Sequence, residues 1–136
     1  MTTSSDFKKQ HSWFIKKSTF SIEVIAWEMN KNNWIWNVYV YLFQDNKLFN
    51  DVESAKNLPF HGGCTFDKFY IKEPALGIKY DWQKIDKSLQ VGCDYDHLYD
   101  DYFNQCHPDD GIPPAIISDV DRLIQAVEES NNDIIC

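Results

Sequence analysis

Glycine and proline are scarce in this sequence of 136 residues, five of each, and so few turn formers leave little room for long irregular tracts. No apolar run reaches the roughly 18 residues needed to cross a bilayer, so no transmembrane helix is expected. The opening residues Met1-Thr2-Thr3-Ser4-Ser5-Asp6 carry no apolar leader core. The four cysteines are therefore expected to be reduced thiols of a cytoplasmic protein, and not two disulfides. Cys-x-x-Cys spacing and a His-Glu-x-x-His helix are both missing, which removes the usual local zinc signatures. Positive charge is in deficit: 13 basic against 21 acidic side chains give a net charge of −8. With no basic stripe interleaved with aromatics, that balance disfavours direct binding of nucleic acid or an anionic membrane and leaves a protein with a basic surface as the expected partner.

Core material is plentiful. Apolar residues make up 43% and aromatics 15% of the chain, a composition opposite to that of disordered segments. The length suits one domain spanning residues 1–136, with residues 1–6 flexible. Phe20, Ile22, Val24 and Ala26 alternate with Thr19, Ser21 and Glu23, the period of two that marks a half-buried strand. After the turn Asn30-Lys31-Asn32-Asn33, a second strand runs from Trp34 to Phe43, apolar or aromatic on both faces, and the short connection implies an antiparallel hairpin. Residues 7–17 fit either a short helix or an edge strand. One helical turn is expected within Asp51–Asn57, a short strand interrupted by glycines at Phe60–Phe66, and another strand at Leu89–Asp94. The segment 67–88 is mixed, with Ile78, Tyr80 and Trp82 following a break at Pro74. Pro113-Pro114 are read as a stop, followed by a helix capped by Ser118 and starting at Asp119, with Val120, Leu123, Ile124 and Val127 on its apolar face. The expected fold is α+β: a small, mainly antiparallel sheet with the C-terminal amphipathic helix packed on one side.

Two polar blocks interrupt this pattern. His61-Gly62-Gly63 places a histidine beside glycines whose backbone can take positive φ and turn its amides toward an anion or ligand. That histidine can act as base, acid or metal ligand, or it can be a hydrogen-bonded residue of a tight turn. The second block is Asp94-Tyr-Asp-His-Leu-Tyr-Asp100-Asp101. In a helical turn Asp94, His97 and Asp100 would share a face, a set suited to a divalent metal or to a carboxylate-oriented imidazole that moves protons. The same acidic stretch also reads as a solvated surface, or as a partner-binding face in which Asp96, Asp100 and Asp101 select a basic partner while Tyr95, Tyr99, Tyr102 and Phe103 supply contact area.

Taken in order, Phe60-His-Gly-Gly-Cys-Thr-Phe66, Val91-Gly-Cys-Asp-Tyr-Asp-His-Leu-Tyr-Asp100 and the final amphipathic helix resemble a group of small phage and prophage proteins. Those proteins carry a His-Gly-Gly-x-Thr segment, then Gly-Phe-Asp-x-x-His-x-x-Asp, then a helix. The match falls on His61, Gly62, Gly63 and Thr65, and on Gly92, Asp94, His97 and Asp100, within residues 38–128; Cys93 stands where the pattern has Phe. The resemblance implies that the two blocks meet in one site and that the protein works in a host cytoplasm. Two functions follow as expectations. One is an accessory protein that binds and inhibits a host macromolecule, such as a defence nuclease. The other is a small hydrolase or nucleotide-modifying enzyme using His61 with Asp94, His97 and Asp100, with no cofactor or with a divalent metal held by Asp94, His97 and Asp100.

Overall fold

A computed structural model describes residues 10–71, 87–97 and 100–132. The fold is α+β, built on a five-stranded antiparallel sheet. Strand β1 (Gln10–Lys16) turns into β2 (Phe20–Asn30), which pairs along β3 (Asn33–Phe43). A 3-10 turn at Lys47–Asn50 and helix α1 (Val52–Lys56) follow, and then β4 (Phe66–Ile71) and β5 (Lys87–Asp94). Helix α2 (Asp101–Asn104), a 3-10 turn at Pro108–Asp110 and helix α3 (Pro114–Asn132) complete the described chain. The strand order is β1-β2-β3-β5-β4, so β5 lies inside the sheet although it is the last of the described strands in sequence. The expected α+β fold with a C-terminal helix is what is observed.

Period-two alternation decides which face is buried. The registers Ile22↔Val40, Val24↔Val38 and Val91↔Val40 put the even positions of β2 and β3 and the odd positions of β5 on one side. There they join Ile116, Val120, Leu123 and Val127 of α3 in one continuous apolar cluster. Phe60 and Leu58, from the chain after α1, close the same core.

Of the two alternatives for the segment 7–17, residues 10–16 form the edge strand, because His11, Trp13 and Ile15 fall opposite Ala26, Val24 and Ile22 on the core face. Local chemistry corrects the expectations for two other segments. The segment Phe60–Thr65 is a turn and not a strand: Gly62 and Gly63 take φ of +69° and +91°, and Gly63 N–H donates back to Phe60 O. The strand begins only at Phe66. Pro113-Pro114 open the last helix instead of stopping what precedes it. Pro114 occupies the first helical position, where its missing N–H costs nothing, and Ile116 and Ile117 donate to Pro113 O. Ser118 and Asp119 are therefore interior helical residues, which frees Asp119 for a different contact. The expectations for Ile78, Tyr80, Trp82 and Tyr99 lie outside the described residues.

Candidate functional site

The turn after α1 and the loop after β5 meet at the rim of the sheet. His61 Nε2–H donates to both oxygens of Asp100, at 2.9 and 3.0 Å. Asp100 is 5% exposed, and its Oδ2 also accepts the backbone N–H of His97 at 2.9 Å, while Asp100 N–H returns to His97 O at the same distance. A carboxylate accepts only, so Nε2 of His61 carries a proton in this contact, and in the neutral ring Nδ1 is then the nitrogen with a lone pair. The ring is held flat against Tyr95, 4.3 Å between centroids and 13° between planes, with Phe103 edge-on at 5.8 Å.

Tyr95 continues the inward alternation of β5 one step past its end, after Leu89, Val91 and Cys93. It is fully buried, and its hydroxyl donates to Asp119 Oδ2 at 2.6 Å. Asp119 is in turn paired with Arg122, one turn along α3. Burial, then the bond to Asp119, drives the Tyr95 phenol upward, so it remains a donor at any physiological pH. His61 thus rests on a tyrosine that is tied to the C-terminal helix.

His97 is the second imidazole, 5.9 Å from His61 between ring centroids. Its Nε2 lies 3.5 Å from Asp94 Oδ1, too far for a good hydrogen bond, and is buried with no hydrogen-bond partner among the described residues. The reason is Gly62. A Cβ added there would come within 2.9 Å of His97 Cδ2 and Nε2, so the imidazole edge lies directly on the glycine backbone.

The predicted site residues are therefore brought together, but not in the arrangement their spacing suggests. Asp94, His97 and Asp100 do not share a helical face, because the helix begins only at Asp101. Asp100 turns inward to His61, and Asp94 accepts Asp96 N–H at 3.2 Å in a local turn. Among the described residues, no three His, Cys, Asp or Glu side chains converge as a group able to hold a metal ion. The anion nest expected at Gly62-Gly63 also loses a donor, since Gly63 N–H is engaged by Phe60 O at 3.0 Å. Of the expected contact face, Asp100, Tyr95 and Phe103 are buried and do not belong to it, whereas Asp96 and Asp101 are exposed, as is Tyr102 at 58%.

Cys93 lies beneath this cluster. Burial pushes its thiol up to about 12, against the opposing hydrogen bond from the His61 backbone. A folded value above the ordinary 9.0 means that the thiol favours the native state below pH 9 and that this contribution is lost as pH rises toward about 12. The urea midpoint is expected to fall over that window, and by less in Cys93→Ala, measured relative to its own value at pH 8. Cys64, Cys93 and Cys106 are all free thiols. Iodoacetamide at pH 8 is expected to alkylate the partly exposed Cys64 and Cys106 in the native protein, and Cys93 only after unfolding, as read by peptide mapping.

Comparison with protein-family models, with curated proteins and with solved structures finds no match to this chain. No helix among the described residues is long and apolar enough to cross a membrane.

Proposed function

We propose that the protein acts by binding, with Asp96, Asp101 and Tyr102 forming an acidic, aromatic contact for a basic surface on a partner macromolecule. The resemblance to small phage proteins makes that partner a host protein, with a defence nuclease as the first to try. The observation that carries the reading is the contrast along one short loop. Asp100 is 5% exposed and bonded inward to His61, whereas its neighbours Asp101 and Tyr102 face solvent. Two further bonds fasten the loop to β3: Asn104 Nδ2 donates to Trp34 O at 2.9 Å, and Trp36 Nε1 donates to Cys106 O at 3.2 Å. A contact surface held this firmly loses little conformational freedom on binding, and tyrosine beside carboxylate supplies both contact area and charge selection.

The test is a comparison of variants that keep the fold. Asp96→Lys with Asp101→Lys, and separately Tyr102→Ala, are each expected to lower recovery of host proteins on immobilised protein about tenfold, equivalent to about 1.4 kcal/mol. Reversal of the equally exposed Asp109 and Asp110 serves as the control. Equal loss in the control would mean that net charge alone governs capture, and the proposed face would be abandoned.

A second reading, proton transfer in a small hydrolase, is favoured by one observation. Asp100 orients the His61 ring through Nε2–H, so that the neutral ring would present Nδ1 as an acceptor, and His97 stands 5.9 Å away with an unpartnered nitrogen. Turnover of nucleotides or simple phosphoesters, with and without added Mg²⁺ or Mn²⁺, that falls at least a hundredfold in His61→Gln would favour it over binding.

A further inference from the structure

We infer that the outer edge of β1 is a docking strand for an extended acidic peptide, which adds to the sheet beside Ser12, Phe14 and Lys16. The site is far in sequence from the acidic loop and takes a partner of opposite charge, so it stands independently of the function proposed above.

The hydrogen-bond parity of the sheet identifies the free backbone groups. Lys17 N–H donates to Phe20 O at 2.8 Å, and the register of β1 with β2 continues without a shift from Gln10↔Trp27 to Lys16↔Ser21. In an antiparallel pair, hydrogen-bonded and non-hydrogen-bonded positions alternate, so Ile15, Trp13 and His11 face β2 with their amides and carbonyls. Phe43 N–H donates to Thr19 O at 3.0 Å, which assigns the odd positions of β2 to β3 and leaves its even positions, the partners of His11, Trp13 and Ile15, to β1. The two bonds agree. The N–H and C=O groups of Ser12, Phe14 and Lys16 point out from the edge, and among the described residues β1 pairs with β2 alone.

Natural edges are normally blunted by proline, a bulge, a cover or charged side chains, lysine above all, and of these the β1 edge carries, among the described residues, only a lysine, Lys16, at its end. Within Gln10–Lys16 there is no proline and no register shift, and apolar side chains are left open: Phe14 is 56% exposed and Ile15 37%. The charge at this edge is positive. Lys16 and Lys17 are both exposed at its C-terminal end, in a chain whose net charge is −8. A second copy of β1 would bring its own lysines to the same interface, whereas an acidic strand would be attracted to it. Side chains two positions apart share a face, so the occupant that fits carries an aromatic or β-branched residue opposite Phe14 and a carboxylate two positions away opposite Lys16.

The experiment is fluorescence anisotropy with a labelled Thr-Val-Thr-Val-Glu-Val-Glu peptide and the full chain. Saturable binding is expected, weakened at least tenfold by Lys16→Glu with Lys17→Glu and by substituting the peptide glutamates with lysine. Two further peptides, N-methylated at alternate amides in the two possible phases, probe the edge without altering the protein. One phase is expected to abolish binding and the other to leave it within about threefold, since only every second amide of an added strand faces the edge. Equal binding of the lysine peptide, or indifference to both methylated forms, would overturn the proposal. So would sedimentation showing that the chain forms a dimer which Lys16→Glu leaves intact and which the acidic peptide cannot dissociate.

Discussion

Asp100→Ala is expected to destabilise the protein by about 2–4 kcal/mol, because it strips the acceptor from two inward-facing donors at once, each costing about 1–3 kcal/mol when left without a partner. Those donors are His61 Nε2–H, from the turn after α1, and the His97 amide, from the loop that carries Asp100 itself. Partial exposure of His61 lets water replace some of what is lost, which places the expectation below the full sum. With a urea slope typical of small domains, the midpoint should drop by about 1–2 M with the slope unchanged. Asp100→Asn offers a sharper reading. An amide can present its oxygen to the His97 N–H and its NH2 to a His61 ring that has switched tautomer, so about half of the loss should be recovered. If the alanine variant is as stable as the parent, the clasp is not a stabilising feature, and the rigid presentation of Asp101 and Tyr102 loses its support.

Gly92→Ala is expected to cost at least about 3 kcal/mol or to prevent folding, at the upper end of what overpacking produces. An added Cβ would stand 2.3 Å from Tyr39 Cδ1 and 2.6 Å from Val38 O. The tyrosine could rotate away only by leaving its edge-on contact with Phe66, at 5.6 Å, and the carbonyl belongs to the β3 backbone. Tyr39 and Phe66 are the registered neighbours of Gly92 on its two sides, and their rings close over the space that the glycine leaves open. Gly62→Ala is the informative companion. There the penalty combines a left-handed backbone, φ +69°, with a shift of the His97 ring, a side chain that can move, so a loss of about 1–2 kcal/mol is expected. Thermal or urea unfolding of the two variants side by side measures both. The reverse ranking would mean that the sheet yields more easily than the turn.

The core face of the sheet was legible in the alternation itself. Phe20-x-Ile22-x-Val24-x-Ala26 and Trp34-x-Trp36-x-Val38-x-Val40-x-Leu42 mark the side that meets the core, because successive side chains point to opposite faces; the burial of Ser21 and Glu23 on the other side of β2 has no such signal. The start of α3 was not legible, since a proline pair is chemically ambiguous: it can end one element or begin the next, and only the tertiary position of Ile116 decides. The site was legible as a place and misleading as an arrangement. Helical spacing grouped Asp94, His97 and Asp100, yet the carboxylate of Asp100 pairs with His61, a residue from another turn that no local period connects to it. Sequence motifs do not assign Tyr95 and Asp119 to the support of His61. The period of two through Leu89, Val91, Cys93 and Tyr95 is the signal that places Tyr95 inward, whereas no local pattern links Asp119 to its phenol partner.

The position of β5 between β3 and β4 has a consequence for how the molecule is made. The first three strands form a meander from neighbouring stretches of chain and can assemble as soon as they leave the ribosome. The inner edge of β3 must then wait, because its pairing from Phe43↔Ser88 to Asn37↔Asp94 closes a long loop. Loop closure is an entropic cost that grows slowly, about 0.6 kcal/mol per doubling of length, but it is met before any contact beyond it forms. During that interval the aromatic edge of β3 is open to pairing with another nascent chain. Misassembly during synthesis is therefore a hazard to guard against when this protein is produced, and slower translation before Ser88 would lengthen the exposure.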